Sequence, residues 1–195
     1  RTGYTFKGWS LDGVTVDSST KWSKASNGQA VAQWAANNYD LTFTNTEGAT
    51  PPTKIVTFGT AVGTLPTPNR TGYTFVEWLM NGTPLTQETV WNKVGDGEAV
   101  AQWIPNTYVL SFDSQGGSGV AEVTVTFDKP IGTMGVPAMT GYTFNGWTVN
   151  NQAITEQTIW KFAENCTALA TWKAAQFLLS FDTAGGSNME PKTVT

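Results

Sequence analysis

The side chains that could do chemistry in this chain are carboxylates, a single thiol and nine indoles, because its 195 residues include no histidine. Without an imidazole, Ser-His-Asp and Cys-His activation, a histidine general base and most zinc geometries are excluded. Acid–base work would then fall to carboxylate pairs of the kind glycoside hydrolysis uses. The recurring pairs are Glu88 with Glu98 and Glu156 with Glu164, at loosely matched places, and Ser19 stands opposite Glu88 in the first copy. Such residues read as solvated loop carboxylates, so the chain reads as not an enzyme. Cys166 is the lone cysteine, and Gly97 and Gly28 precede it at steps of 69 residues. No disulfide framework or thiolate metal site can therefore belong to the pattern, and the thiol reads as a small side chain packed or half exposed in a loop. Neither metal nor cofactor is implied. The candidate ligand contacts are Trp22, Trp91 and Trp160, each flanked by polar residues such as Lys21, Ser23, Asn92, Lys93 and Lys161. Exposed, they would stack on a sugar. The competing reading buries them, as indoles usually are.

What must position these residues is a repeat. Gly3-Tyr4-Thr5-Phe6-Lys7-Gly8-Trp9 returns as Gly72–Trp78 and Gly141–Trp147, a period of 69 residues. Trp22, Trp91 and Trp160 keep the same step, as do Ala32-Gln33-Trp34, Ala101-Gln102-Trp103 and Ala170-Thr171-Trp172. An array of small units follows, each with its own core. The aromatic residues recur while the loops vary, so the rings are the core of each unit. Trp78 and Trp103 are expected in the core, with Trp103→Ala costing about 3–5 kcal/mol.

The elements are strands. Tyr39-Asp40-Leu41-Thr42-Phe43 alternates apolar and polar, and Lys54–Phe58 answers it across a Gly/Pro-broken loop. The same hairpin returns at Tyr108–Phe112 and Glu122–Phe127. In the Tyr4 strand Trp9 is out of phase, and Gly8 before it offers a bulge that would return the indole to the core, although Glu77 replaces that glycine in the second copy. The Gly/Pro-rich stretches after each hairpin exclude a long helix, which leaves at most short helical turns in a mainly β chain with a 69-residue period.

With 13% charged residues and a net charge of −4, there is no basic run to track nucleic acid or an anionic membrane surface. No apolar run of about 18 residues suits insertion into a membrane. The chain reads as a window from something longer.

The ordered phrases Tyr108-x-Leu-Ser-Phe-Asp-x-x-Gly-Gly, Val125-Thr-Phe, Gly132-Thr-x-x-x-Pro, Gly141-Tyr-Thr-Phe-x-Gly-Trp and Ala170-x-Trp resemble the Listeria-Bacteroides repeat, the B-repeat of internalin B and its relatives. The resemblance covers the whole chain. It implies a tandem array of small β-grasp-like modules, set in large bacterial surface proteins between a binding head and a cell-wall anchor. An aspartate-based cation site in the hairpin loop would be missing from one unit, since Thr44–Gly48 replaces the Asp113–Gly117 and Asp182–Gly186 patterns.

Units that start with the Tyr-x-Leu strand give residues 1–36 as the C-terminal part of a repeat, 37–105 and 106–174 as complete repeats, and 175–195 as the N-terminal hairpin of another. The alternative frame is 1–57, 70–126 and 139–195. The first frame is favoured because Trp34–Asn38 and Trp103–Asn106 look like short polar joints. It predicts that Phe43 and Phe58 meet Tyr73, Phe75 and Trp103. The function so read is a non-catalytic stalk or spacer of an extracellular bacterial cell-surface protein, with an adhesion module for host protein or glycan as the alternative. The partners so read are neighbouring repeats, and a second copy through the incomplete terminal repeats.

Overall fold

The computed structural model describes residues 1–195 and divides into two compact units, Arg1–Ile104 and Pro105–Thr195. Fifteen strands and no helix form, in sheet modules that recur at the period of the sequence. In the first unit the strands are β1 (Tyr4–Leu11), β2 (Val14–Val16), β3 (Val31–Ala36), β4 (Asn38–Thr44), β5 (Lys54–Thr57), β6 (Tyr73–Met80), β7 (Thr83–Leu85) and β8 (Gly97–Pro105). The first three make a sheet ordered β2-β1-β3, and the other five a sheet ordered β5-β4-β8-β6-β7. The second unit holds β9 (Thr107–Asp113), β10 (Val123–Thr126), β11 (Tyr142–Val149), β12 (Gln152–Ile154), β13 (Cys166–Ala174), β14 (Phe177–Leu179) and β15 (Lys192–Val194). Its five-stranded sheet runs β10-β9-β13-β11-β12, and β14 pairs with β15 alone.

In each five-stranded sheet the first and last strands are parallel neighbours in the centre, β4 with β8 and β9 with β13, and every other pair with a recorded register is antiparallel. This is the β-grasp-like arrangement, but the Gly/Pro-rich crossover carries no helical turn. The tight hairpins follow from turn chemistry. Asp12-Gly13, Asn81-Gly82 and Asn150-Asn151 are two-residue loops with positive φ at both positions, the type I′ turn that matches strand twist.

Alternation places Leu41 and Phe43 in the core and Asp40 and Thr42 outside it. The bulge that Trp9 requires lies between Phe6 and Gly8, and its equivalent between Phe144 and Gly146, with Gly8 at φ 120° and Gly146 at φ 115°. Trp78 reaches the core with Glu77 before it, so glycine is not required there. Its ring lies 4.8 Å from Phe43 and 5.4 Å from Phe75. The second unit repeats this, with Trp147 at 4.7 Å from Phe112 and 5.2 Å from Phe144.

Each of these indoles also ties a loop. Trp78 Nε1 donates to Pro66 O at 2.8 Å and Trp147 Nε1 to Gly135 O at 2.9 Å, both in the crossover. Trp103 Nε1 donates to Asn45 O at 2.8 Å and Trp172 Nε1 to Ser114 O at 2.9 Å, both after the first hairpin strand. Trp103 is only partly buried and packs on the rim of the core, against the expectation that it lies as deep as Trp78. Phe58 packs against this core too, and it also has a contact upstream that was not expected. Its ring meets Tyr4 edge-on at 5.6 Å, because Asn37, alone between β3 and β4, accepts from Phe58 N and donates its own N–H to Gly3 O. Those two bonds carry Phe58 towards β1.

Trp78→Ala is expected to cost about 3–5 kcal/mol, since it empties a buried indole site and frees the Pro66 carbonyl. Trp103→Ala should cost less, and thermal denaturation of the two variants side by side checks the order.

Candidate functional site

The candidate indoles each follow a four-residue turn. At Thr86–Thr89 the Thr89 N–H donates to Thr86 O (3.1 Å), and the Thr86 N–H to Thr89 Oγ1 (2.9 Å). Thr155–Thr158 closes in the same way, and Asp17–Thr20 does so with an aspartate first. Beyond the turn the chain is extended and pairs with the crossover. Val62 N donates to Thr89 O, Trp91 N to Thr60 O and Gly59 N to Trp91 O, at 2.8–2.9 Å. Residues 128–132 and 156–160 repeat this in the second unit. The pairing faces both indoles inward, so Trp91 and Trp160 are each 1% exposed. This corrects the reading of them as ligand contacts: their polar neighbours face solvent while the rings fill the core. Neither buried Nε1 has a protein partner.

Trp22 differs from them. It is 57% exposed and lines a cavity of about 400 Å³ with Leu11, Val14, Val16, Lys21 and Ala30. An ion pair between Lys24 and Asp12 stands at the same cavity. The floor is apolar and the rim charged, which suits an apolar side chain from another segment. At its edge Asp17 accepts from Ser19 N, Ser19 Oγ and Thr20 Oγ1, and the Ser19 hydroxyl above all holds its carboxyl below the usual range.

Glu88 and Glu98 are each engaged by a different neighbour. Glu88 takes the Gln87 amide, which lowers its pKa, and Glu98 accepts from Thr44 Oγ1 at 2.7 Å. Asp113 and Asp182 each accept a backbone N–H two residues on and so close their own loops. No group of three or more acidic or cysteine side chains is placed to hold a metal ion. Cys166 opens β13, on a strand and not in a loop; it is half-buried, and desolvation, with Glu164 nearby, pushes its thiol up. That favours the protonated, unreactive form.

One tie escaped the sequence reading. The Arg70 guanidinium lies 4.0 Å from the Tyr73 ring centre, with Glu47 3.3 Å from its Nε in an ion pair that lacks hydrogen-bond alignment. Arg1 lies over Tyr4 in the same way, at 3.9 Å. The signal was present in the 69-residue spacing of the two arginines, which Met139 interrupts.

The fold and these side chains define a tandem array of small all-β repeat modules whose recurring residues are mostly interior. The chain belongs to the Listeria-Bacteroides repeat domain family, which matches it twice, over residues 39–97 and 108–170. Among curated relatives, a protein of Evansella cellulosilytica named as a Gly-rich membrane protein is 29% identical over 201 residues, which cover 97% of this chain and 23% of the relative. A second from that organism, named as a membrane protein, is 26% identical over 195 residues, covering 93% of this chain and 28% of the relative. The chain thus spans about a quarter of the length of these relatives. No solved structure matches significantly. No helix of the structure is long and apolar enough to cross a membrane.

Two measurements follow. A Cβ at Gly97 would overlap the Trp91 ring, so Gly97→Ala is expected to cost about 1–3 kcal/mol in chemical denaturation. Because the folded pKa of Asp17 lies below its ordinary 3.8, its contribution to the first turn is present above that pH and is lost as pH falls through the lowered value. Loss of Ser19 amide protection in that acid range, absent in Asp17→Asn, checks the sign.

Proposed function

We propose that this chain is a non-catalytic stalk segment of a large bacterial cell-surface protein, in which repeats 37–105 and 106–174 act as spacers and residues 1–36 and 175–195 belong to further repeats. The observation that carries this reading is the use to which the recurring residues are put. In both five-stranded sheets the three tryptophans pack in or against the core, and two of the three hold loop carbonyls. What varies between copies is the loop surface, including the Glu47 loop against the Gln115 loop. A part selected for length needs its interior repeated and its surface only soluble. The names and lengths of the relatives agree with a segment of a long envelope-associated protein.

The reading is tested in the parent protein, displayed on cells with an epitope placed ahead of the array. Removing one 69-residue repeat should lower antibody access to the epitope, and an unrelated folded module of equal length should restore it. Failure of the unrelated module to restore access would show that these surfaces, and not their length, are what the array supplies.

An adhesion reading rests on Trp22 and its cavity. Its equivalents Trp91 and Trp160 are each 1% exposed in the complete sheets, which weighs against a sugar-stacking role for this position of the repeat.

A further inference from the structure

The loops that join β6 to β7 and β11 to β12 close the same hairpin in both complete repeats, but only the first carries Asn-Gly, at Asn81-Gly82. The second has Asn150-Asn151. In an Asn-Gly pair the glycine nitrogen attacks the asparagine Cγ, ammonia leaves, and water opens the resulting succinimide to an aspartyl or isoaspartyl residue. Glycine favours this because no side chain shields its nitrogen, whereas Asn151 puts a Cβ beside the same atom. Asn81 and Gly82 are both exposed, and a Cβ at Gly82 would meet nothing within 4 Å, so solvent reaches the pair.

The fold holds the pair in an unreactive geometry. Asn81 has φ 51° and Gly82 φ 76°, between the paired residues Met80 and Thr83. A type I′ turn sets ψ of its first residue at about +30°. For an L residue that ψ turns the next nitrogen almost directly away from Cβ, whereas closing the ring needs the two nearly eclipsed. The Gly82 nitrogen therefore reaches Cγ only after the turn opens. Opening is opposed by Leu85, which lies opposite Trp78 and is 4% exposed.

An earlier copy of the turn shows how an acid fits there. Asp12-Gly13 stands one period before Asn81-Gly82, with φ 51° and 82°, and Asp12 pairs with Lys24. Lys93 is the counterpart of Lys24 and lines one groove with Asn81. An aspartyl product thus suits the same turn with a cation beside it. An isoaspartyl product adds a backbone methylene between Met80 and Thr83, which a two-residue loop in register does not absorb.

We propose that Asn81-Gly82 is a deamidation site gated by its own hairpin: closed, the turn protects it; open, it loses ammonia and gains a negative charge. Aspartyl chains reclose beside Lys93 and isoaspartyl chains do not, so the site keeps a covalent record of opening in repeat 37–105.

The test follows the 195-residue chain by peptide mass spectrometry, with isoaspartyl and aspartyl forms separated by chromatography. At one mildly alkaline pH, conversion at Asn81 should be at least about tenfold slower in the folded chain than in guanidinium chloride, because only the open population reacts. Leu85→Ala without denaturant should raise the folded rate, whether it frees β7 or unfolds the repeat. Asn81→Asp should fold with a thermal midpoint no lower than the parent's, and Lys93→Ala should lower the midpoint more in that background than in the parent. Equal rates in folded and denatured chains, no conversion in denaturant, a folded rate unmoved by Leu85→Ala, or an Asn81→Asp chain that melts well below the parent would each overturn the proposal.

Discussion

The indole N–H bonds to crossover carbonyls, Trp78 to Pro66 and Trp147 to Gly135, are what the modules depend on. The crossover between the first hairpin and the bulged strand has no helix, so it cannot satisfy its own backbone or bring a broad apolar face to the sheet. It is held instead at two places, by the pairing of residues 59–63 with 87–91 and by the tryptophan carbonyl contact. Together these close a core of Leu41, Phe43, Val56, Val62 and Trp91 over the sheet. A small unit has few residues to spend on its interior, and a ring that packs and also donates does two tasks at one position.

This economy explains why turn and loop residues can differ between copies while the aromatics recur. The turn before Trp91 and Trp160 needs a threonine at its end, and its first residue can be Thr or Asp because both offer an oxygen there. The two-residue hairpin loops tolerate Asp-Gly, Asn-Gly or Asn-Asn because each accepts positive φ at both places. Surface identity is then free to drift without loss of fold.

The same distinction separates what was legible in the sequence from what was not. Period-two alternation identified the Tyr39 and Lys54 hairpin, and the out-of-phase Trp9 correctly implied a bulge, because both signals are local. The burial of Trp91 was not local. Its neighbours Asn92 and Lys93 are polar, and only the crossover some 30 residues upstream, whose Gly and Pro content reads as plain loop, turns the ring inward. Phe58 packs against the core of its own repeat, but its contact with Tyr4 was missed for a similar reason. Its direction is set by the bonds of Asn37, a residue that looked like a polar joint and is in fact a backbone bridge between β1 and β5. Cys166 looked like a loop residue because glycine occupies its place in the other copies. That glycine stands at the start of a strand, where its lack of a side chain makes room for an indole, as at Gly97 under Trp91.

The parallel central pair has a mechanical consequence. A tethered chain under tension is pulled at the start of β4 and at the end of β8, and these two strands lie side by side and point the same way. Stretching therefore slides one past the other and does not peel them apart, so the ladder bonds from Leu41 to Thr44 bear the load together. Antiparallel neighbours joined by a turn would instead open one rung at a time. The geometry thus sets the parallel ladder of each module in shear along the chain.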